Sequence, residues 1–426
     1  MGMAMEWQIP APERAYLREL AKKQAEYAAL SVMERRRRMW FDLNDGRAGA
    51  RPPFLVETWT FDRDFLPEQV FHCRPGAGRD IERQLLRNIR NHELIDDDKV
   101  IPGTFDTGWF VSIDEFGVSI PRQTVKDAQG VETGYREDHP VRDLKRDLRL
   151  LKPAVCRVDR ERTRQYHEFV EALLGDILPV RRVSGVYGNT FLTGRVVALM
   201  GMEAYFLAMY DTPDEMHQLM SYLRDNALAV MRWAESEKLL APNNGNQASF
   251  GSSCNFTTRL PAPGHGDGAT RLCDMWGAAN SQETVGVSPG MFHEFCFPYY
   301  RDVCAPMGLL YYGCCEPTHP FWDDLRQLPH LKKISISRWC DQAFMGEALR
   351  GTGIVFSRKP DPKFLGIDVA LDEEGWAAHI RETLALTRGI PVEFIVRDVY
   401  TVHGNLNKPR RMVEIARREI DRHFNG

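Results

Sequence analysis

The chain has 426 residues, 55 lysines and arginines against 59 aspartates and glutamates (formal charge −4), and 43% hydrophobic residues. That balance describes a globular protein with ample core material, and excludes both a polybasic nucleic-acid binder and a composition too polar to fold. The longest nearly apolar stretch, Val196 to Tyr210, carries Glu203 and falls short of the ~18 residues needed to cross a bilayer.

Met1 to Pro10 lack a charged region followed by an apolar one, so no secretory leader is expected. Gly2 is not followed by Ser or Thr at position 6, as myristoylation would require. Nine cysteines, seven of them between Cys254 and Cys340, lack the even spacing of a disulfide scaffold. The expectation is reduced thiols in a cytoplasmic protein without membrane or nucleic-acid partners.

The first predicted element is a charged helical arm, Arg14 to Trp40, with Tyr16, Leu20, Tyr27 and Leu30 on one stripe. Its run Arg35 to Arg38 spreads around all helix faces, which suits a solvated or oligomer-facing surface, and a homodimer is one way to cover it. Arg74 and Gly76 follow no strand and invite no phosphate reading. A charged stretch from Arg136 to Arg164, punctuated by Pro140 and Pro153, closes a mostly helical front region expected to span residues 1–153.

Residues 154–426 alternate helical periods with short apolar runs, the pattern of βα units around a parallel sheet. Tyr166, Phe169, Val170, Leu173 and Leu174 form one helical face before Gly175. Thr212-Pro213 and Ser288-Pro289 open two more helices, and Asp372 and Asn407 are candidate caps for the last two. Strands are predicted at Trp109 to Ile113, Arg182 to Val186, Gln247 to Cys254, Leu272 to Trp276, Leu309 to Cys314, Lys333 to Trp339, Ile354 to Ser357 and Val392 to Val399. Eight strands with interspersed helices suit an α/β fold of the (β/α)8 TIM-barrel type, with the front region as an extension packed on it. No GxGxxG or GxxxxGK[ST] follows a strand, so dinucleotide and P-loop folds are unsupported.

On such a barrel the chemistry belongs at the carboxyl ends of the strands. Tyr311 to His319 places Cys314, Cys315 and Glu316 at one, a set able to furnish zinc ligands. Adjacent cysteines point to opposite faces of a strand, so both can serve only if the chain bends; otherwise one is core and Glu316 starts a helix. Leu272 to Ser288 offers Asp274 and Glu283 for proton transfer, Asn280 and Gln282 for substrate contacts and Trp276 as an apolar wall, or else a loop that satisfies its own backbone. The last strand leads into Asp398 and His403, across the mouth from the cysteines. Arg338, Arg358 and Lys359, at the ends of two strands, would hold a carboxylate or phosphate, or pair with acidic neighbours. His265 and Asp267 lie in the glycine-rich segment Pro261 to Gly268, a candidate cover.

Over residues 180–424 the chain resembles the uroporphyrinogen decarboxylase-like superfamily, in the blocks Gly201 to Met220, Ser288 to Cys304, Tyr311 to Leu325 and Ile334 to Asp341. The resemblance implies a (β/α)8 barrel and one of two activities, porphyrinogen decarboxylation or methyl transfer with a corrinoid protein, often with zinc. The arginine-rich front motif of the decarboxylases is absent. Where the zinc methyltransferases carry His-x-Cys and a later Cys, this chain has Tyr312-Gly313-Cys314 or Gly313-Cys314-Cys315, and then Asp398 or His403. The resemblance therefore implies a methyltransferase moving a methyl group between a small methoxy or methylamino compound and a corrinoid protein. Cys314, Cys315 and His403 are the implied zinc ligands; Asp274, Glu283, Glu316 and Asp398 are the candidate catalytic acids and bases. A cofactor-free decarboxylase using Arg338, Arg358 and Lys359 near Asp274 is the alternative, and a non-catalytic corrinoid- or ligand-binding barrel the second.

Overall fold

The computed structural model describes residues 7–126, 132–185, 190–247, 252–264 and 268–425. His265 and Asp267, and the middle half of the predicted strand Gln247 to Cys254 (residues 248–251), lie outside the described residues. The strands in chain order are β1 (Phe54–Val56), β2 (Phe105–Thr107), β3 (Phe110–Asp114), β4 (Arg122–Lys126), β5 (Glu132–Glu137), β6 (Val155–Asp159), β7 (Val180–Arg182), β8 (Trp276–Ala279), β9 (Leu309–Tyr312), β10 (Leu331–Ile336), β11 (Val355–Arg358) and β12 (Val392–Val396).

Six of them form one parallel sheet in the order β1-β12-β11-β10-β9-β8. A closed eight-stranded barrel is not present among the described residues, and side chains bond the backbone at both edges of the sheet. At the β1 edge, Asp98 accepts from the backbone N–H of Phe54 and Asp97 from that of Val56, both at 2.8 Å. At the β8 edge, the side chain of Asn243 bonds both the N–H (2.8 Å) and the carbonyl (2.9 Å) of Trp276. Side chains thus satisfy backbone groups that a further strand would otherwise pair, as buried edges require. The remaining strands form separate pairs: β2 with β7 parallel, β3 with β6 and β4 with β5 antiparallel. The strand expected at Trp109 to Ile113 is β3, which lies outside the main sheet.

The front region supplies β1, paired in register with β12 (Phe54 to Phe394, Val56 to Val396), so the expected boundary at 153 does not separate it from the sheet. Its helices Ala11–Ala28, Ser31–Asp45 and Ala77–Arg90 confirm the helical character of that part. The arginine run is not uniformly solvated: Arg36 is buried and holds Asp96 at 2.6 Å.

Strand alternation divides the inner and outer faces of the sheet. Ile334, Ile336, Phe356, Val392 and Phe394 join the large core beneath the helices, with Met216, Leu219, Met220 and Leu223 of the helix Pro213–Ser236. The inner face carries Leu55, Val355 and Ile395, packed with Trp40 from the front region. No single described helix is long and apolar enough to cross a membrane, although a pair bent by 100°, Leu192–Met200 and Met202–Asp211, meets the length and composition criteria together.

Candidate active site at the carboxyl ends of the strands

The inner face carries a polar cluster that begins in the amino-terminal halves of β10 and β12 and continues to the carboxyl ends of the strands. In β10 and β12, Lys333 and Glu393 form an ion pair of 2.9 Å, both fully buried. Ser253 and Ser357 donate to Glu393 at 2.7 and 2.6 Å, and the Tyr311 hydroxyl lies 3.1 Å from Ser357 Oγ. Although burial works against its ionisation, the charges of Lys333 and Lys359 hold the Glu393 carboxyl below its usual range. A buried pair supplied with this many hydrogen bonds is a rigid floor, and it would be costly to break.

Lys359 stands above that floor, one residue past β11. It is 3% exposed, donates to Ser357 Oγ at 2.8 Å, and its Nζ lies 5.2 Å from the centre of the Tyr311 ring. No ion pair engages it among the described residues, and burial lowers its pKa to about 7.

The loop after β9 brings the two cysteines together. Gly313 adopts φ +98°, and a Cβ there would meet that of Ser335 at 2.9 Å, so only glycine makes this bend. Beyond it the strand alternation lapses, and the Cys314 and Cys315 sulfurs lie 3.5 Å apart. Glu316, buried, fixes the loop by accepting from the N–H groups of Ser281 (3.0 Å) and Cys314 (2.9 Å), and burial raises its pKa. The Cys315 thiol donates to Asp398 Oδ2 at 2.9 Å. Contact with Cys315 lowers the Cys314 thiol, aided by the Arg397 charge; the same contact, burial and Asp398 raise that of Cys315.

Arg397 and Asp398 directly follow β12. Arg397 Nε lies 3.4 Å from Asp398 and its guanidinium 3.8 Å from Glu57, the residue after β1. Glu57 is buried, accepts a hydrogen bond from Ser252 through Oε2, and has no partner at Oε1 among the described residues. Tyr400 feels the charges of Asp398, Cys315 and Glu57 while standing 71% exposed at the rim. Trp59 and Trp339, from the loops after β1 and β10, are also exposed.

Of the residues expected in the site, Cys314, Cys315, Asp398 and Lys359 converge at this end of the sheet. Others do not. Asp274 precedes β8 and so lies at the amino end, where it accepts from Arg271 and Ala262, and Arg271 holds its carboxyl well below the usual range. Trp276 opens β8, and its indole donates to the Asn255 carbonyl. Arg358 faces outward, donating to the carbonyls of Ile336 and Ser337, and Arg338 pairs with Asp361 at the rim. His403 is exposed and lies 3.2 Å from the Gly366 carbonyl. Asn280 is buried just past β8, its carbonyl accepting from Tyr300; Gln282 is exposed, and Glu283 accepts from Thr193 at 2.7 Å.

Among the described residues no group of three or more His, Cys, Asp or Glu side chains is arranged to hold a metal ion. The expected set Cys314, Cys315 and His403 is not assembled, because His403 is engaged at Gly366. Sequence reasoning missed Glu57 and the role of Arg397. The signal for Glu57 was its position: a lone carboxylate directly after the apolar triplet Phe54-Leu55-Val56.

The architecture has a counterpart among solved structures. The chain is similar to a methyltransferase from Methanosarcina mazei, with a TM-score of 0.52 and 12% identity over 90% of this chain and 98% of that one. At that identity the likeness shows the fold. No protein-family model and no curated protein matches the sequence.

Proposed function

We propose that the protein is a methyltransferase, moving a methyl group between a small methoxy or methylamino compound and a corrinoid carried by a partner protein. The observation that carries this reading is the dithiol Cys314–Cys315, held on Asp398 at the carboxyl ends of the strands. The fold shared with the Methanosarcina mazei methyltransferase supports it, and so does the sequence resemblance at the same loop.

In this reading the chain's own groups do the work. Arg397 favours negative charge on the dithiol, and Asp398 holds the Cys315 proton. Breaking a methyl ether or amine requires a proton for the departing heteroatom. Asp274 lies at the wrong end of the sheet to supply it, whereas Lys359, with a pKa of about 7, can donate at neutral pH. Glu57 Oε1, buried and without a partner among the described residues, supplies an acceptor for a hydroxyl or ammonium of the substrate. The residues present do not fit a zinc ion on the expected three ligands, since His403 is engaged at Gly366. The constellation for decarboxylation, Arg338, Arg358 and Lys359 around Asp274, is not brought together.

The test is an anaerobic assay following conversion of cob(I)alamin to methylcobalamin with a panel of methoxy and methylamino compounds. Turnover with at least one of them is expected; none with any, using protein shown to be folded, overturns the proposal.

A further inference from the structure

We infer that Cys314 and Cys315 form a binding site for a trivalent arsenical, a pyramidal thiophilic centre that takes both sulfurs at once. This goes beyond methyl transfer and does not depend on it.

The spacing of the sulfurs carries the inference. They stand 3.5 Å apart. With bonds of about 2.3 Å from a soft centre to each sulfur, that separation corresponds to an angle of roughly 100° at the bridging atom. This lies between a right angle and the tetrahedral angle, where a three-coordinate centre with a lone pair sits. A disulfide would instead draw the sulfurs to about 2.05 Å across Cα atoms about 3.8 Å apart, below the ~4.4 Å lower end of ordinary disulfides. The pair as folded therefore suits capture of a bridging atom better than closure on itself.

The loop is preorganised for this. Gly313 makes the bend, Glu316 accepts from the N–H of Cys314, and Ser335 Oγ donates to the Cys314 carbonyl at 2.7 Å. Little freedom remains to be lost when the second bond forms, which is the basis of a chelate advantage. Cys315 is partly exposed and is the first point of attack; Cys314, 4% exposed, completes the ring. For an organoarsenous acid, two As–O bonds break and two As–S bonds form. The two thiol protons leave with the two hydroxides as water, and neither arsenic nor sulfur changes oxidation state. Asp398, which accepts the Cys315 hydrogen bond, is placed to pass on that proton.

The test titrates the full-length reduced protein with phenylarsine oxide, read by intact mass and peptide mapping. One equivalent is expected, adding one phenylarsenic group less two hydrogens on the peptide that holds residues 314 and 315. The adduct should persist in excess 2-mercaptoethanol and be removed by 2,3-dimercaptopropanol. Cys315→Ser and Cys315→Ala, each checked for a native near-ultraviolet circular dichroism spectrum, should bind at least about 100-fold more weakly, the lower end of a two-point advantage. Equal binding by these variants, arsenic mapped to other cysteines, or release from the wild type by the monothiol would overturn the inference.

Discussion

Replacing Lys359 with methionine removes a buried charge while keeping most of its volume, and its effect on stability can be worked from the site. The lysine titrates near 10.5 in the unfolded chain and at about 7 in the folded one. Between those values the unfolded chain holds the proton and the folded chain does not, so stability rises with pH across that window. Below about pH 7 both states are charged and the full cost of burial applies: roughly 3.5 pK units, or about 5 kcal/mol. The substitution forfeits the hydrogen bond to Ser357, worth about 1 kcal/mol, but Ser357 keeps Glu393 and Tyr311 as partners. Allowing about 1 kcal/mol more for imperfect packing, Lys359→Met should be more stable than wild type by about 2–4 kcal/mol at pH 6. The difference should shrink by about 1.4 kcal/mol per pH unit above 7. Urea unfolding at pH 6, 7, 8 and 9 reads both quantities. If methyl transfer is observed, the variant should lose about 10²-fold or more in turnover. A variant less stable than wild type at pH 6, or a difference independent of pH, would refute the placement of an unpaired ammonium there.

Other substitutions separate site from scaffold. Lys333→Met removes the ion-pair partner of the buried Glu393 and should cost about 3–5 kcal/mol in urea unfolding. Gly313→Ala forces a side chain into positive φ against Ser335; it should cost about 1–3 kcal/mol and abolish joint capture of the two thiols by phenylarsine oxide. Asp274→Asn weakens the contacts to Arg271 and should lower stability by about 1–3 kcal/mol without changing the thiol reactivity of Cys315. His403→Ala should shift the unfolding midpoint by less than about 0.5 kcal/mol equivalent and leave the thiols unaffected.

The sequence was most legible where local rules act alone. The helix Pro213–Ser236 starts at the Pro213 expected to open it, and Ser288 and Asp372 cap their helices as expected, accepting from Met291 and Gly375. β9 to β12 fall within a few residues of their predicted places, because apolar runs between turns are local signals. Alternation would also have separated Arg358, facing out, from Ser357 and Lys359, facing in. β8 was misplaced because Trp-Gly-Ala-Ala lacks β-branched residues, while the preceding Leu272–Asp274 is drawn into a turn by Arg271 and Asp274. The sheet edges were not legible, since Asp97, Asp98 and Asn243 satisfy the backbone of strands distant in sequence. The convergence of Glu57, Cys315 and Arg397 is likewise a product of strand pairing. The role of Gly313 was foreshadowed in the condition that two adjacent cysteines need a bend, but only the positive φ shows that it is met.

In the proposed function, the Cys314–Cys315 pair held by Asp398 carries methyl transfer. Methylation of cob(I)alamin with an active methoxy or methylamino donor, comparing wild type, Cys315→Ser and His403→Ala at equal folded concentration, decides whether it does. Turnover by the wild type and His403→Ala should agree to within about twofold, and Cys315→Ser should lose about 10²-fold or more. Undiminished turnover in Cys315→Ser, or a loss confined to His403→Ala, would contradict it.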